Sequence, residues 1–151
     1  MKIAVLVKQV PGSESALPLS PNEKWIDESS VTFVMNPPDN FALEEALLIK
    51  EKNGEGEVVV ISMGPSRIQK VIREALAKGA DRGIQIEESD DIEKDPLTVG
   101  KKFASVLKEE NFDLVLSGLQ SDDTGMGQTG VLIGELLGMS TATLAIKTEV
   151  K

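Results

Sequence analysis

The sequence predicts an α/β fold, a doubly wound parallel sheet with a β-hairpin or arm inserted after the first strand. Three observations lead there. Short runs of β-branched and aliphatic residues alternate with amphipathic helical stretches along almost the whole chain, and that alternation implies right-handed βαβ crossovers onto a parallel sheet. Three of the runs are apolar at nearly every position, as strands covered on both faces require. Residues 11–35 are irregular and too long for an ordinary βα loop.

Taken in order, residues 2–7 (KIAVLV) form the first expected strand. The irregular stretch holds the single tryptophan, Trp25, and two short alternating pieces, Lys24-Trp25-Ile26 and Val31-Thr32-Phe33-Val34. These read as a hairpin or extended arm, or else as a flexible loop. Asn36-Pro37-Pro38-Asp39-Asn40 then precedes a helix over 41–52, with Asp39 or Asn40 capping its first turn and Gly54 just beyond its end. A strand at 57–62 leads to a helix over 66–78, whose apolar stripe is Ile68, Val71, Ile72, Ala75 and Leu76 and which stops at Gly79. A strand at 83–87 is followed, after Pro96, by a helix over 97–110 carrying Val99, Phe103, Val106 and Leu107. A fourth strand at 113–117, a helix over 128–138 with Val131, Leu132, Leu136 and Leu137, and a fifth strand at 142–146 complete the pattern. Residues 139–151 look like a strand beginning a longer excursion without a closing helix. The single domain, 1–151, is therefore expected to be cut short relative to a larger unit, or to rely on a partner at its edge.

The chain has 151 residues, enough for one domain, with 40% apolar and 27% charged residues, as in a soluble globular protein. Lys plus Arg is 16 against 25 for Asp plus Glu, a net charge of −9. That balance argues against nucleic acid as a partner, since such affinity comes from cations that neutralise phosphates. Cys, His and Tyr are absent, which removes disulfides, thiolate or imidazole metal sites, and triads built on a histidine base. The amino terminus is too short an apolar stretch for a signal peptide, and no run approaches the ~20 residues of a membrane span, so direct membrane insertion is not expected and the cytoplasm is the default compartment.

In open doubly wound sheets, ligands sit outside the carboxyl ends of strands where the strand order reverses. With a 3-2-1-4-5 order, that point lies between the first and fourth strands, so the loops after Val7 and Ser117 matter most. The second of these, Gly118-Leu119-Gln120-Ser121-Asp122-Asp123-Thr124-Gly125-Met126-Gly127-Gln128-Thr129-Gly130, runs into an apolar helix. Gly125, Gly127 and Gly130 let backbone N–H groups approach an anion, the helix start adds unpaired N–H groups, and Thr124, Gln128 and Thr129 add side-chain donors. Asp122 and Asp123 would brace the loop or reach a ribose hydroxyl. The same glycines also suit a capped turn with no ligand. No Walker A lysine follows these glycines. Two other loops reach the same edge. Asn36 has an amide suited to a base edge but also serves as a helix-start turn. Met63, in Ser62-Met63-Gly64-Pro65-Ser66, would pack on an adenine face or be an ordinary loop residue. Lys8 would neutralise an anion or stand in solvent at the strand end.

Several ordered segments resemble the electron transfer flavoprotein β-subunit: Lys8-Gln9-Val10-Pro11, Asn36-Pro37 with Ala42-Leu43-Glu44-Glu45-Ala46, Ser62-Met63-Gly64-Pro65, Arg73 through Arg82, and Gln120 through Gly130. The resemblance implies a Rossmann-like, adenine-nucleotide-binding fold. It also implies a non-enzymatic subunit that pairs with an α-subunit and carries electrons from flavoprotein dehydrogenases to an acceptor such as a quinone oxidoreductase. It implies AMP or a second FAD in this subunit, the latter in electron-bifurcating members, and a redox FAD shared with the α-subunit. Carried over by position, the nucleotide contacts are Leu6, Asn36, Pro37, Pro38, Asp39, Met63, Gly118, Gln120, Asp122, Asp123, Thr124, Gly125, Met126, Gly127, Gln128 and Thr129, with Thr124, Gly127, Gln128 and Thr129 around the phosphate. Two departures stand out. The family's β-subunit continues well past residue 151, and the loop Asp122 through Gly127 differs from many members, which leaves AMP or FAD undecided. The alternatives from other classes are a stand-alone adenine-nucleotide protein of the universal-stress type and an ATP-pyrophosphatase-type adenylating enzyme. The latter would need a Ser/Gly-rich loop where Lys8-Gln9-Val10-Pro11 stands.

Overall fold

A computed structural model describes residues 1–89 and 94–150. Its frame is a four-stranded parallel sheet made of β1 (Lys2–Leu6), β4 (Glu57–Gly64), β5 (Arg82–Glu87) and β6 (Leu114–Ser117), in the order β5-β4-β1-β6. The first four expected parallel strands are all present, and the order reverses between β1 and β6 as expected. Side chains alternate across a strand, and here both faces are buried. Ile3, Val5, Val58 and Val60 pack under α1 (Pro37–Asn53) and α2 (Gln69–Lys78), with Leu43, Ala46, Val71 and Ala75. Ala4, Leu6, Val59 and Ile61 pack on the other face with Phe103 and Leu107 of α3 (Pro96–Glu110) and Ile133 of α4 (Thr129–Leu137). Two helices on each face make the sheet doubly wound. Among the described residues, no helix is long and apolar enough to cross a membrane.

The helix boundaries follow local chemistry. The helix expected at 41–52 starts at Pro37 instead, because a proline at the first helical position lacks only an N–H that would be orphaned anyway. Asp39 is therefore inside the first turn and caps nothing. Asn36 is the residue before the helix but makes no side-chain capping bond. Gly54, at φ 71°, closes α1. The first three residues of the stretch expected as a helix over 66–78 tighten into a 3-10 turn, Ser66–Ile68, ahead of α2. Asp95 caps α3 by accepting from the N–H groups of Leu97 and Thr98, and Pro96 follows it.

Two expectations need correcting. Of the hairpin and arm readings of the inserted segment the arm holds, since Val31-Thr32-Phe33-Val34 does not pair with Lys24-Trp25-Ile26. Instead β3 (Phe33–Met35) runs antiparallel to β2 (Gln9–Pro11), with Gln9 opposite Met35 and Pro11 opposite Phe33. The intervening arm closes on itself through an isolated bridge between Leu19 and Ile26, backbone bonds from Gly12 to Thr32, Ser20 to Trp25 and Asp27 to Pro18, and a short 3-10 turn, Glu28–Ser30. The apolar Val10 and Met35 are buried and the arm's polar residues are exposed, so the pairing with something to bury prevails. The second correction concerns 142–146, which is not a strand. Of its large apolar side chains, Leu144 is 75% exposed at φ 57° and Ile146 is fully exposed. Threonine and alanine between them leave little to bury against β6. The chain turns instead at Gly138, sets Thr141 against Gly134 of α4, and crosses toward α1, where the Thr148 N–H donates to Glu45 at 3.1 Å. Residue 151, the end of the expected excursion, lies outside the described residues.

At the amino edge of the sheet, polar side chains bind neighbouring strands together. The Lys2 N–H donates to Asp113 at 2.7 Å, and the Lys2 ammonium donates to Glu110 at 2.7 Å. Glu110 and Glu57 both pair with Arg82. The Val58 N–H donates to the Asp81 carboxylate at 2.8 Å. Arg82 and Lys2 hold the Glu110 carboxyl down to about 2.

Packing should dominate stability. Leu43 is 1% exposed and central to the α1 face, whereas Leu48 on the same helix is 49% exposed. Leu43→Ala is expected to cost about 2–5 kcal/mol in urea unfolding, and Leu48→Ala within about 0.5 kcal/mol. Equal effects would mean that the two-layer core is wrongly placed.

Candidate functional site

Beyond the carboxyl ends of β1 and β6, where the order reverses, lies a cleft of about 380 Å3. That volume falls within the ~300–1,000 Å3 of small-molecule sites. Its floor includes Leu6 and Met63, one wall is the 118–130 loop with the start of α4, and the opposite wall includes Trp25, Phe33 and Arg67.

A buried carboxylate organises the crevice. Asp39, 6% exposed, accepts the Lys8 N–H at 2.7 Å and the Gly118 N–H at 3.1 Å, so it bridges the chain leaving β1 and the chain leaving β6. Burial pushes its carboxyl up to about 6, against the opposing pull of the Lys8, Asn36 and Gly118 hydrogen bonds and of the Lys8 charge. Gly118 is required for this approach: a Cβ there would strike the Asp39 carboxylate and lie 2.8 Å from the Pro38 backbone. Pro37 and Pro38 thus support the loop from behind and do not line the cleft.

Asn36, 1% exposed, fixes the next part of the loop. Its amide NH2 donates to the Gln120 carbonyl at 3.0 Å and its oxygen accepts the Asp122 N–H at 3.0 Å. Both ends of the amide are therefore engaged with the loop, a role neither sequence reading of Asn36 contained. Asp122 faces this clamp through its backbone and is off the cleft wall. Lys8, expected to neutralise an anion or stand in solvent, is engaged with the loop. Its ammonium donates to Asp123 at 2.7 Å and to Ser121 and Thr124 at 3.3 Å. Burial raises the Asp123 carboxyl, but Lys8, Ser121 and the Thr124 N–H outweigh it and leave it below the usual range. Asp123 therefore braces the loop, as one of its two sequence readings held.

The glycines behave less uniformly than expected. The N–H groups of Gly125 and Gly127 bond to the Ser121 and Gly125 carbonyls within the loop, each at 2.9 Å, so they turn the chain on itself. With Gln128 they lie off the cleft wall. Gln128 makes no capping bond to α4. The helix start itself reaches the cleft through Thr129 and Gly130, and a Cβ on Gly130 would lie 2.8 Å from the Ser117 hydroxyl. Leu6, Asn36, Asp39, Met63, Gly118, Gln120, Asp123, Thr124, Met126 and Thr129 are brought together at the cleft. Met63 belongs to β4, which extends two residues beyond the expected end, and it packs on the Leu6 side of the core. Sequence reasoning missed Arg67 and Gln9. Arg67 bonds to Glu28 and Gln9, 39 and 58 positions away, and no local pattern reports partners at such separations.

The cleft lies where doubly wound α/β proteins place their ligand crevices, and a helix start and apolar side chains line it. Comparison with known proteins gives the family. Residues 24–151 match the electron transfer flavoprotein domain. The chain is 40% identical over its whole length to the electron transfer flavoprotein subunit beta of Bradyrhizobium diazoefficiens, covering 60% of that protein. It is 35% identical over its whole length to the subunit of the same name from Dictyostelium discoideum, again covering 60%. Against the human subunit it is 35% identical, over 96% of this chain and 58% of that protein. The chain belongs to the electron transfer flavoprotein family, among its β-subunits, and spans about 60% of the length of these relatives.

Asp39 provides a pH test. With its folded carboxyl near 6 against an ordinary 3.8, the folded protein holds the proton more tightly than the unfolded chain. Its contribution to stability is full below about 4 and is lost as pH rises through 6. Asp39→Asn lacks this step, so its stability relative to the unmodified protein should improve by about 2–3 kcal/mol between pH 4 and pH 7. Urea unfolding at the two pH values measures this. A pH-independent difference would place the carboxyl near its ordinary value.

Proposed function

We propose that the cleft binds an adenine nucleotide, AMP or FAD, with its phosphate at the start of α4 and its base between the Leu6/Met63 floor and the apolar wall. The observation that carries this is a helix start without a side-chain cap, at Thr129 and Gly130, opening on the cleft at the switch point of the sheet. Backbone N–H groups and the helix dipole favour an anion there. The residues fit such a group. The two carboxylates nearest the loop are already matched, Asp123 by the Lys8 ammonium and Asp39 by two N–H donors, so neither is left to repel a phosphate. Thr124 and Thr129 add hydroxyls, and Gly130 leaves the first turn open.

On this reading the chain performs no bond chemistry. It is a β-subunit that pairs with an α-subunit, covers one side of a FAD held mainly by that partner, and takes part in carrying electrons from flavoprotein dehydrogenases to an acceptor. FAD supplies redox chemistry when bound, whereas AMP supplies none. The residues of this chain bind and orient the nucleotide and keep the crevice rigid, which is the protein's usual share in cofactor function.

Denaturing the purified protein and identifying the released nucleotide by mass spectrometry tests the reading directly. AMP or FAD is expected. If neither is released, and neither binds when added, the reading fails. Thr129→Asp sharpens the test. A carboxylate in the first turn suits the helix dipole, so stability should hold or rise by about 0.3–1 kcal/mol. The same charge occupies the phosphate position, so nucleotide affinity should fall at least tenfold by calorimetric titration. Unchanged affinity would move the phosphate away from α4.

A further inference from the structure

The wall of the cleft opposite the loop is built from an arm with little core of its own. Of its large apolar residues, Leu17 is 53% exposed, Leu19 65% and Trp25 40%. Burial therefore does not explain how Trp25 and Ile26 come to line the cleft. A chain of polar contacts does. The Trp25 indole N–H donates to one oxygen of Glu28 at 3.0 Å, and the other Glu28 oxygen accepts from Arg67 Nε at 3.2 Å. The guanidinium also donates to Gln9 at 2.6 Å and lies 3.9 Å above the Phe33 ring, while the Gln9 amide donates back to the Arg67 carbonyl at 3.2 Å. Gln9 is 6% exposed. Arg67 thus joins the turn after β4, the β2–β3 ribbon and the arm. A planar, forked guanidinium suits this combination of stacking and bonding, and a point-charge ammonium would not reproduce it.

We propose that Arg67 is a positioning residue for the cleft: through Glu28 it fixes the Trp25 indole as the outer wall against which the ring of a bound nucleotide is held. The proposal rests on the nucleotide reading above. It makes the arm a strap whose placement, and with it the affinity of the site, depends on one guanidinium, and it gives the lone tryptophan a place beside the ligand.

The test uses Trp25 as the native fluorophore and AMP as the probe. In Arg67→Met and Glu28→Ala, Trp25 anisotropy should fall and its emission shift to the red without ligand, and AMP should bind about tenfold more weakly. Because the two residues act in series, Glu28→Ala/Arg67→Met should be no weaker than Arg67→Met alone. Arg67→Lys, which keeps the charge beside Glu28 but not the fork, should recover part of both signals and guards against a variant that merely misfolds. Thr129→Asp should weaken AMP while leaving Trp25 as in the unmodified protein. Two results overturn the proposal: weakened AMP binding with Trp25 unmoved, which would make Arg67 a direct contact, or a loosened Trp25 with AMP binding intact. An unmodified protein that binds neither AMP nor FAD overturns the nucleotide reading itself, a separate result seen before any variant is made.

Discussion

The crevice depends on one buried carboxylate. A sheet whose order reverses leaves a gap where neighbouring strand ends lead off in opposite directions, and the backbone N–H groups at those ends need acceptors. Asp39 supplies one acceptor to each side, Lys8 and Gly118. It does so from the first turn of α1, so the helix, the end of β1 and the end of β6 are tied at one point. The cost is a charge held in a poorly solvated place, and the raised carboxyl records it. Gly118, Pro37 and Pro38 follow from this arrangement, since the carboxylate reaches both N–H groups only if the loop has no Cβ there and the helix begins at once.

The rest of the site is arranged around that point in two unlike halves. On one side the loop is held by short polar side chains from elsewhere, with Asn36 and Lys8 doing by hydrogen bonds what a packed core does beneath the sheet. On the other side a thinly packed arm is held by a stacked guanidinium. The rigidity of both halves comes from hydrogen bonding more than from buried area, the kind of support that pre-organised sites rely on.

Much of this was legible in the residues. The alternating runs, the capping signals and the glycines after helices reported α2, α3 and α4 and the first four parallel strands, because each is local and periodic. The switch point followed from order alone. The 142–146 segment misled because strand propensity says nothing about whether a partner is present or whether Leu144 and Ile146 will find a surface to cover. Asp39 was expected as a cap and is a bridge instead, and the loop bonds of Asn36 were not foreseen. A capping residue and a residue that bridges two distant strands look alike in sequence, since the bridge is made 31 positions back and 79 positions ahead. Arg67 gave no signal for the same reason.

A sheet buried on both faces raises a problem of register. In a half-exposed sheet, a slip of one residue throws apolar side chains into water, and the hydrophobic pattern forbids it. In β1 and β4 such a slip would merely trade Ile3 and Val5 in one layer for Ala4 and Leu6 in the other, apolar for apolar. The hydrophobic pattern therefore discriminates weakly between alignments of these two strands. The alignment is marked at the strand ends, where polar groups seat each strand against a neighbour: the Lys2 ammonium beside Glu57 of β4, the Lys2 N–H on Asp113 before β6 and the Val58 N–H on Asp81 before β5 below, and the Lys8 and Gly118 N–H groups on Asp39 above. The polar groups at the strand ends act as the vernier of an otherwise unmarked core, so the sheet's alignment and the shape of its crevice are set by the same few side chains.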